Sequence, residues 1–187
     1  MKKFVLAPAL AALAMFFWGF LYWGAPHHLP YKSLGRVEDD SATAAALGKL
    51  FPSSGAYMIP SPMLAEEKLS ELMQRGPSAH VYITKEAMPM MDPAVLIKGY
   101  VHMFALAVLL TVMLVGLAKA FERWTCRVKF CAGIGFLVAL CDLGQAIWWN
   151  HPWGWTLAQS FYDVVMYTIA GLVLAKFVTP KPAPATT

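Results

Sequence analysis

Residues 128–178 read VKFCAGIGFLVALCDLGQAIWWNHPWGWTLAQSFYDVVMYTIAGLVLAKFV, which is two long apolar runs joined by a short hairpin. A helix needs about 20 mostly apolar residues to cross a bilayer, because its backbone satisfies its own hydrogen bonds there. Residues 128–149 and 155–178 meet that requirement. The stretch therefore predicts two antiparallel membrane-spanning helices.

Two further apolar runs, residues 4–23 and residues 100–118, bring the predicted spans to four. The composition agrees, because the chain has 187 residues of which 58% are hydrophobic and only 14% are charged. The first run resembles a secretory signal peptide in having Lys2 and Lys3 before it. It continues through Phe16, Trp18 and Trp23, however, whereas a signal peptide's apolar region normally stops after about 7–15 residues. We therefore predict an uncleaved anchor.

The charges that flank the spans predict their orientation in a bacterial inner membrane. Short cytoplasmic loops are enriched in Lys and Arg, and the hairpin 150–154 has neither residue. Both termini are therefore predicted to be cytoplasmic, including a Pro-rich tail at 179–187, with residues 25–98 in the periplasm. The basic residues on the predicted cytoplasmic side are Lys2, Lys3, Lys119, Arg123, Arg127, Lys129, Lys176 and Lys181. The predicted aromatic belt on the opposite side contains Tyr22, Trp23, Trp148, Trp149, Trp153 and Trp155.

The segment 25–98 is rich in charges of both signs and predicts a small α+β domain. Asp39 and Asp40 precede an alanine-rich helix as N-cap candidates. A second helix is predicted from the helical spacing of Leu64, Leu69, Leu72 and Met73, and it ends at Gly76-Pro77. Residues 79–84 alternate between small or β-branched and polar side chains, which is typical of a strand, and this strand is expected to pair near Tyr57 and Met58.

Two aspartates inside the last two spans, Asp142 and Asp163, are the leading site candidates. An ionisable group in a span costs about 2.5–3.5 kcal/mol on insertion scales and usually faces other helices. Both carboxyl groups are expected on the order of 10 Å below the aromatic belt. Two adjacent carboxylates need a proton, a cation or hydrogen-bond donors. The predicted intramembrane cluster consists of His102, Asp142, Gln145, Gln159, Asp163 and Tyr167, and its alternative role is to hold the helices together.

A second candidate site is a set of thioether and imidazole side chains in the segment 25–98. Thioethers favour Cu(I), and imidazole suits several transition metals. The residues considered as metal ligands are His80, Met88, Met90 and Met91. Methionine-rich surfaces also adapt to protein partners or lipid. No cofactor is therefore expected, and copper or another transition metal is the alternative.

The sequence offers no support for catalysis or for nucleic-acid binding. It contains no GxSxG elbow, glycine-rich phosphate loop or HExxH pair, and its basic residues lie at the ends of apolar runs. The resulting prediction is a four-helix transmembrane bundle, 1–24 and 99–178, with a periplasmic domain at 25–98. Its expected role is that of a non-catalytic accessory protein with lipid, a membrane or envelope protein, or another copy as partner. The alternative is proton or cation transport, or copper handling.

Overall fold

The computed structural model describes residues 2–24, 29–89 and 91–178, and this part of the chain is mainly helical. The predicted tail at 179–187 lies outside the described residues, as do His27 and His28. The elements in chain order are α1 (Lys2–Gly24), α2 (Leu29–Lys32), α3 (Asp40–Leu50), β1 (Gly55–Ile59), α4 (Glu66–Arg75), β2 (Ala79–Ile83), α5 (Pro93–Gly116), α6 (Trp124–Trp149) and α7 (Trp153–Phe177).

Four helices in the described part of the chain, α1, α5, α6 and α7, are long and apolar enough to cross a membrane. The sequence analysis predicted this number, although α5 begins at Pro93 and not at Tyr100. Proline suits the first position of a helix because the amide that it lacks has no partner there. At the other end of the region, Asn150 adopts a left-handed conformation with φ 54° and ends α6. Pro152 then precedes α7.

The four long helices pack in series. Helix α5 packs on α1, α1 packs on α7, and α7 packs most extensively on α6. Closure of a bundle would require similar packing of α5 against α6, which is not seen among residues 2–24 and 91–178. The buried apolar side chains of this helical layer include Ala7, Ala11, Met15, Ala107, Leu110, Leu114, Cys131, Met166, Ala170 and Leu174.

Aromatic side chains join α1 to α7 at one end of the layer. The hydroxyl of Tyr22 donates to the carbonyl of Ala158 at 2.8 Å, and the indole of Trp18 donates to the carbonyl of Tyr162 at 3.2 Å. The ring centroids of Trp23 and Trp155 lie 5.4 Å apart. Since the chain order is reversed between these partners, α1 and α7 are antiparallel. Three residues of the predicted belt, Trp148, Trp149 and Trp153, are exposed.

The chain divides into two compact units, of which the second is Arg36–Asp92 and is called the module below. Its helix α3 begins after Asp39, whose carboxylate accepts from the amide of Ala42 at 2.9 Å. Strands β1 and β2 form an antiparallel two-stranded sheet in which Tyr57 is opposite Val81 and Met58 is opposite His80. The predicted pairing of these two segments is therefore confirmed.

A lysine and a tyrosine hold the loops of the module together. The ammonium of Lys85 donates to the carbonyls of Gly48 and Phe51, at 3.0 and 2.9 Å, near the C-terminal end of α3. The rings of Phe51 and Tyr57 lie 4.6 Å apart, and the hydroxyl of Tyr57 donates to the carbonyl of Ser53 at 2.9 Å. Most of the polar contacts of the module are solvent-exposed, and those of Lys85 join segments that are far apart in the sequence.

Candidate functional site

The candidate site lies between α6 and α7, where two glycines allow the helices to approach closely. A Cβ atom placed on Gly135 would lie 3.0 Å from the Cα of Val164, and one placed on Gly171 would lie 2.8 Å from the Cβ of Cys131. Small residues at such positions permit the backbones of membrane helices to pack tightly. Close packing of α6 against α7 therefore fixes the positions of the side chains between Gly135 and the hairpin.

Asp142 on α6 and Asp163 on α7 lie between these two closely packed helices. The side chains of Asp142 and Asp163 lie near each other across the interface, and both are half-buried. The Oδ2 atom of Asp142 is buried and accepts no hydrogen bond from any residue that the structure describes. Two neighbouring carboxylate charges repel each other, so a proton, a cation or hydrogen-bond donors are needed to stabilise the pair. The arrangement can therefore take up a proton or a cation.

The other predicted members of the intramembrane cluster differ in their positions and in their burial. Tyr167 is buried on α7, and its Cβ atom lies 3.0 Å from the position that a Cβ on Gly135 would occupy. Gln145 and Gln159 are exposed. His102 is also exposed, on α5, and that helix packs chiefly on α1. The structure thus brings Asp142, Asp163 and Tyr167 to one helix interface and does not bring His102 there.

A hydroxyl group links the two helices close to the carboxyl pair. Ser160 is buried on α7, one turn before Asp163, and its Oγ atom donates to the carbonyl of Ala139 on α6 at 3.3 Å. Ala139 in turn lies three residues before Asp142. This hydrogen bond crosses the interface and restricts sliding of α6 against α7, which keeps the two carboxyl groups in register.

Arg127 is a buried charged residue that the sequence analysis treated only as an orientation signal. It is 4% exposed, and its guanidinium donates to the carbonyls of Phe121, Glu122 and Ala175 at 2.7, 2.9 and 3.2 Å. Ala175 lies in the last turn of α7, where carbonyl groups lack helical partners and the helix dipole favours a cation. Arg127 therefore joins the start of α6 to the end of α7. No periodic pattern in the sequence distinguishes it from its solvated neighbours.

Of the predicted metal ligands that the structure describes, His80 lies in the sheet of the module. His80 is exposed on β2, Met88 and Met91 are exposed in the segment that follows β2, and Met90 lies outside the described residues. Among residues 2–24, 29–89 and 91–178, no group of three or more His, Cys, Asp or Glu side chains is arranged to hold a metal ion.

Comparisons with protein-family models, with curated protein sequences and with solved structures found no match to this chain. The chemistry of the site must therefore be inferred from its own residues. A carboxyl pair with an unpaired oxygen can bind and release a proton or a cation. Glycine packing and a serine hydrogen bond hold α6 and α7 in place around this pair.

Proposed function

We propose that this protein is a small non-catalytic accessory protein of the bacterial inner membrane, and that it presents the module on the periplasmic side to a protein partner. One observation carries the proposal. Among the described residues of the module, only Phe51 and Pro60 are buried. A unit of this size is marginal in water even when it is well packed. A partner surface would supply the burial that the module lacks by itself.

Helix α4 supplies the apolar face for such a contact. Leu69, Leu72 and Met73 recur at helical spacing on one side, and Glu67 lies on the other. None of these side chains is buried, and Met73 is 59% exposed. A helix with this distribution gains free energy when its apolar face is covered, at roughly 25 cal/mol for each Å² of apolar surface removed from water.

The charge of the module favours a protein partner over the bilayer surface. Interfacial helices that lie on membranes carry mainly Lys and Arg on their polar face. In α4 the acidic residues Glu66, Glu67 and Glu71 outnumber the basic residues Lys68 and Arg75, and the module as a whole is also more acidic than basic. Anionic lipid headgroups would repel this surface, whereas a membrane or envelope protein, or another copy of the chain, can complement it.

Site-specific photo-crosslinking in native membranes tests the proposal. A photoreactive amino acid at Met73 is expected to give a protein adduct, and the same group at Glu67, on the opposite face of α4, serves as the matched control. An adduct of twice the chain mass would identify a second copy as the partner, and a heavier or lighter adduct would identify another protein. Adducts with lipid only, or equal yields from both positions, would contradict the proposal.

The predicted topology is tested separately by labelling engineered cysteines in intact cells. The cysteine of Glu66→Cys is expected to react with an impermeant thiol reagent added from outside. The cysteine of Arg123→Cys is expected to react only after the membrane is opened. These expectations depend on the distribution of Lys and Arg around the spans. Reaction of both positions from the same side would refute the periplasmic placement, independently of any partner.

A second candidate function, proton or cation movement, is favoured by the position of Asp142 and Asp163 near each other between α6 and α7. The observation is the buried Oδ2 atom of Asp142, which has no donor among the described residues. If the pair carries ions, purified protein in liposomes gives a pH- or cation-dependent flux that Asp142→Asn and Asp163→Asn each abolish. Thr168→Val is the control, because the Thr168 hydroxyl donates within its own helix to Val164. A flux that both Asp variants retain, or no flux at all, rules this candidate out.

A further inference from the structure

One face of the two-stranded sheet places a thioether next to an imidazole. Met58 on β1 and His80 on β2 are directly opposite in the antiparallel register. Residues opposite each other in such a pair have Cβ atoms about 4.5–5.5 Å apart and side chains on the same face. Both residues are exposed, with 39% of Met58 accessible. A small ion in water can therefore reach the thioether sulfur and the imidazole together.

The neighbouring pair on the same face adds an aromatic ring next to Met58 and His80. Ala56 lies two residues before Met58 on β1 and is opposite Tyr82, which lies two residues after His80 on β2. The ring of Tyr82 is 78% exposed on that face. An aromatic ring within about 6 Å of a cation attracts it through the ring quadrupole. The face thus combines a soft sulfur ligand, a nitrogen ligand and an aromatic ring.

We propose that Met58 and His80 together bind a soft monovalent metal ion, Cu(I) or Ag(I), on the exposed face of the sheet. Thioether sulfur favours Cu(I), and imidazole is a suitable second ligand. The divalent ions of ordinary protein sites require more ligands than this face offers, and oxygen ligands suit Mg²⁺ and Ca²⁺ better than sulfur does. The proposal is independent of any partner of α4.

The register of β1 and β2 shows which methionine lies next to His80 in the sheet. The sequence analysis associated His80 with Met88, Met90 and Met91, which follow it along the chain. Strand pairing instead places Met58 opposite His80, although the two residues are far apart in sequence. Met63 is more accessible than Met58, at 91% exposure, but it lies outside the sheet. Accessibility alone therefore does not define the site, and Met63 provides a control.

Metal titration of the full chain in detergent micelles is the test. Cys126, Cys131 and Cys141 are replaced by Ala in every sample, because thiolates would compete for the same ions. Cu(I) is then titrated against a coloured Cu(I) chelator. We expect one bound ion for each chain, with the affinity reduced about tenfold or more by Met58→Leu and by His80→Gln, since even loss of groups behind the ligands costs about 10–100-fold. Met63→Leu is expected to leave the affinity unchanged.

Two results would overturn the proposal. The first is no binding in competition with the chelator, and the second is an affinity that Met58→Leu and His80→Gln both leave unaltered. Met58→His, which exchanges one ligand for another, is expected to retain binding and so to separate loss of a ligand from damage to the sheet.

A measurement on the chain with its native cysteines covers the case in which their replacement prevents folding. Methionine methyl groups are labelled with ¹³C, and Met58 is assigned from the signal that Met58→Leu removes. Addition of Ag(I) is expected to shift the Met58 methyl signal and to leave that of Met63 in place. A shift confined to the methionines that follow β2 would refute the assignment of Met58 and favour the segment that contains Met88 and Met91.

Discussion

The helix pair α6–α7 and the module Arg36–Asp92 differ in where their stabilising contacts lie. In the pair, Gly135 and Gly171 bring the helices into direct contact, and Arg127 crosses between them while almost completely buried. In the module, the described residues bury only Phe51 and Pro60, and the polar contacts are mostly exposed. Tight packing thus holds the pair together, whereas the module is held mainly by exposed hydrogen bonds, and we propose that a partner covers its apolar face.

The two candidate functions also depend on different environments. Ion movement depends on the apolar interface of α6 and α7, and partner binding depends on the solvent-exposed module. Ionisable groups in an apolar helix pair are costly and need a proton, a cation or a donor. Exposed apolar side chains in a wet module are costly because they order water, and they need a covering surface. Each region therefore contains an unsatisfied chemical requirement of its own, a carboxyl oxygen of Asp142 in one and the apolar side of α4 in the other.

The largest effect on stability is expected from Arg127→Met. This change removes the guanidinium that donates to three carbonyls, those of Phe121, Glu122 and Ala175. Hydrogen bonds to charged groups contribute about 1.5–3 kcal/mol each and are not additive, so we expect a loss of about 3 kcal/mol in the free energy of unfolding. Unfolding of the full chain in mixed micelles, titrated with a denaturing detergent, measures this loss.

Arg123→Met is the control for that experiment, because Arg123 is exposed at the start of α6 and makes no side-chain hydrogen bond to cap the helix. Equal losses from the two variants would mean that positive charge near this end of the helices matters, and that the carbonyl contacts of Arg127 do not.

The next largest effect is expected from Gly171→Ala. The added Cβ would lie 2.8 Å from the Cβ of Cys131, which is closer than real contacts allow, and overpacking of this kind costs about 1–3 kcal/mol. The same unfolding titration measures it. Gly133→Ala is the matched control, since a Cβ there meets no atom within 4 Å. In a double-mutant cycle, Cys131→Gly is expected to relieve the clash, and an absence of coupling between positions 131 and 171 would contradict the packing.

The sequence predicted the elements better than it predicted which residues meet. Apolar run length was enough to predict the four long apolar helices, and period-2 alternation was enough to predict the strand at residue 79. Helical periodicity also grouped Gly135 with Asp142, and Asp163 with Tyr167. Helical periodicity could not show that Gln145 and Gln159 lie outside the helix interface. Neighbouring helical positions differ by only 100°, and the rotation of each helix about its axis decides which residues at the edge of the interface are exposed.

Contacts between residues far apart in the chain were beyond the sequence patterns. The placement of His102 away from the carboxyl pair follows from α5 packing on α1, and no feature of a single span specifies its neighbour. The contact of Arg127 with Ala175 requires the start of α6 and the end of α7 to lie together. Similarly, Met58 could be assigned to His80 only once the strand register was known.

Within the module, the largest effect is expected from Lys85→Met. The ammonium of Lys85 donates to the carbonyls of Gly48 and Phe51, and a cation near the C-terminal end of α3 also interacts favourably with the helix dipole. We expect a loss of about 1 kcal/mol, seen as faster amide hydrogen exchange in α3 and β2. Lys49→Met, in the last turn of α3, is the control. Unchanged exchange in the Lys85 variant would show that these contacts do not stabilise the module.

The smallest effect is a pH dependence of the module that originates from Glu86. The Ser54 hydroxyl donates to Oε2 of Glu86 at 2.6 Å, and this hydrogen bond is the main cause that lowers the pKa of Glu86 below its ordinary value of 4.5. A carboxyl group with a lowered pKa in the folded state stabilises that state above its unfolded pKa, and the contribution is lost as the pH falls through the lowered value. The module is therefore expected to lose stability as the pH falls below about 4.5, and Glu86→Gln is expected to lose less.

The Lys85 amide reports this change directly, because it donates to the same Ser54 hydroxyl at 2.9 Å. Its NMR signal is expected to shift with pH in the native chain and to remain in place in Glu86→Gln. Glu67→Gln removes a carboxylate from the exposed side of α4 and is expected to leave the shift as it is in the native chain. A shift that persists without Glu86 would assign the titration to another group, and the contact between Ser54 and Glu86 would then have no part in the acid sensitivity of the module.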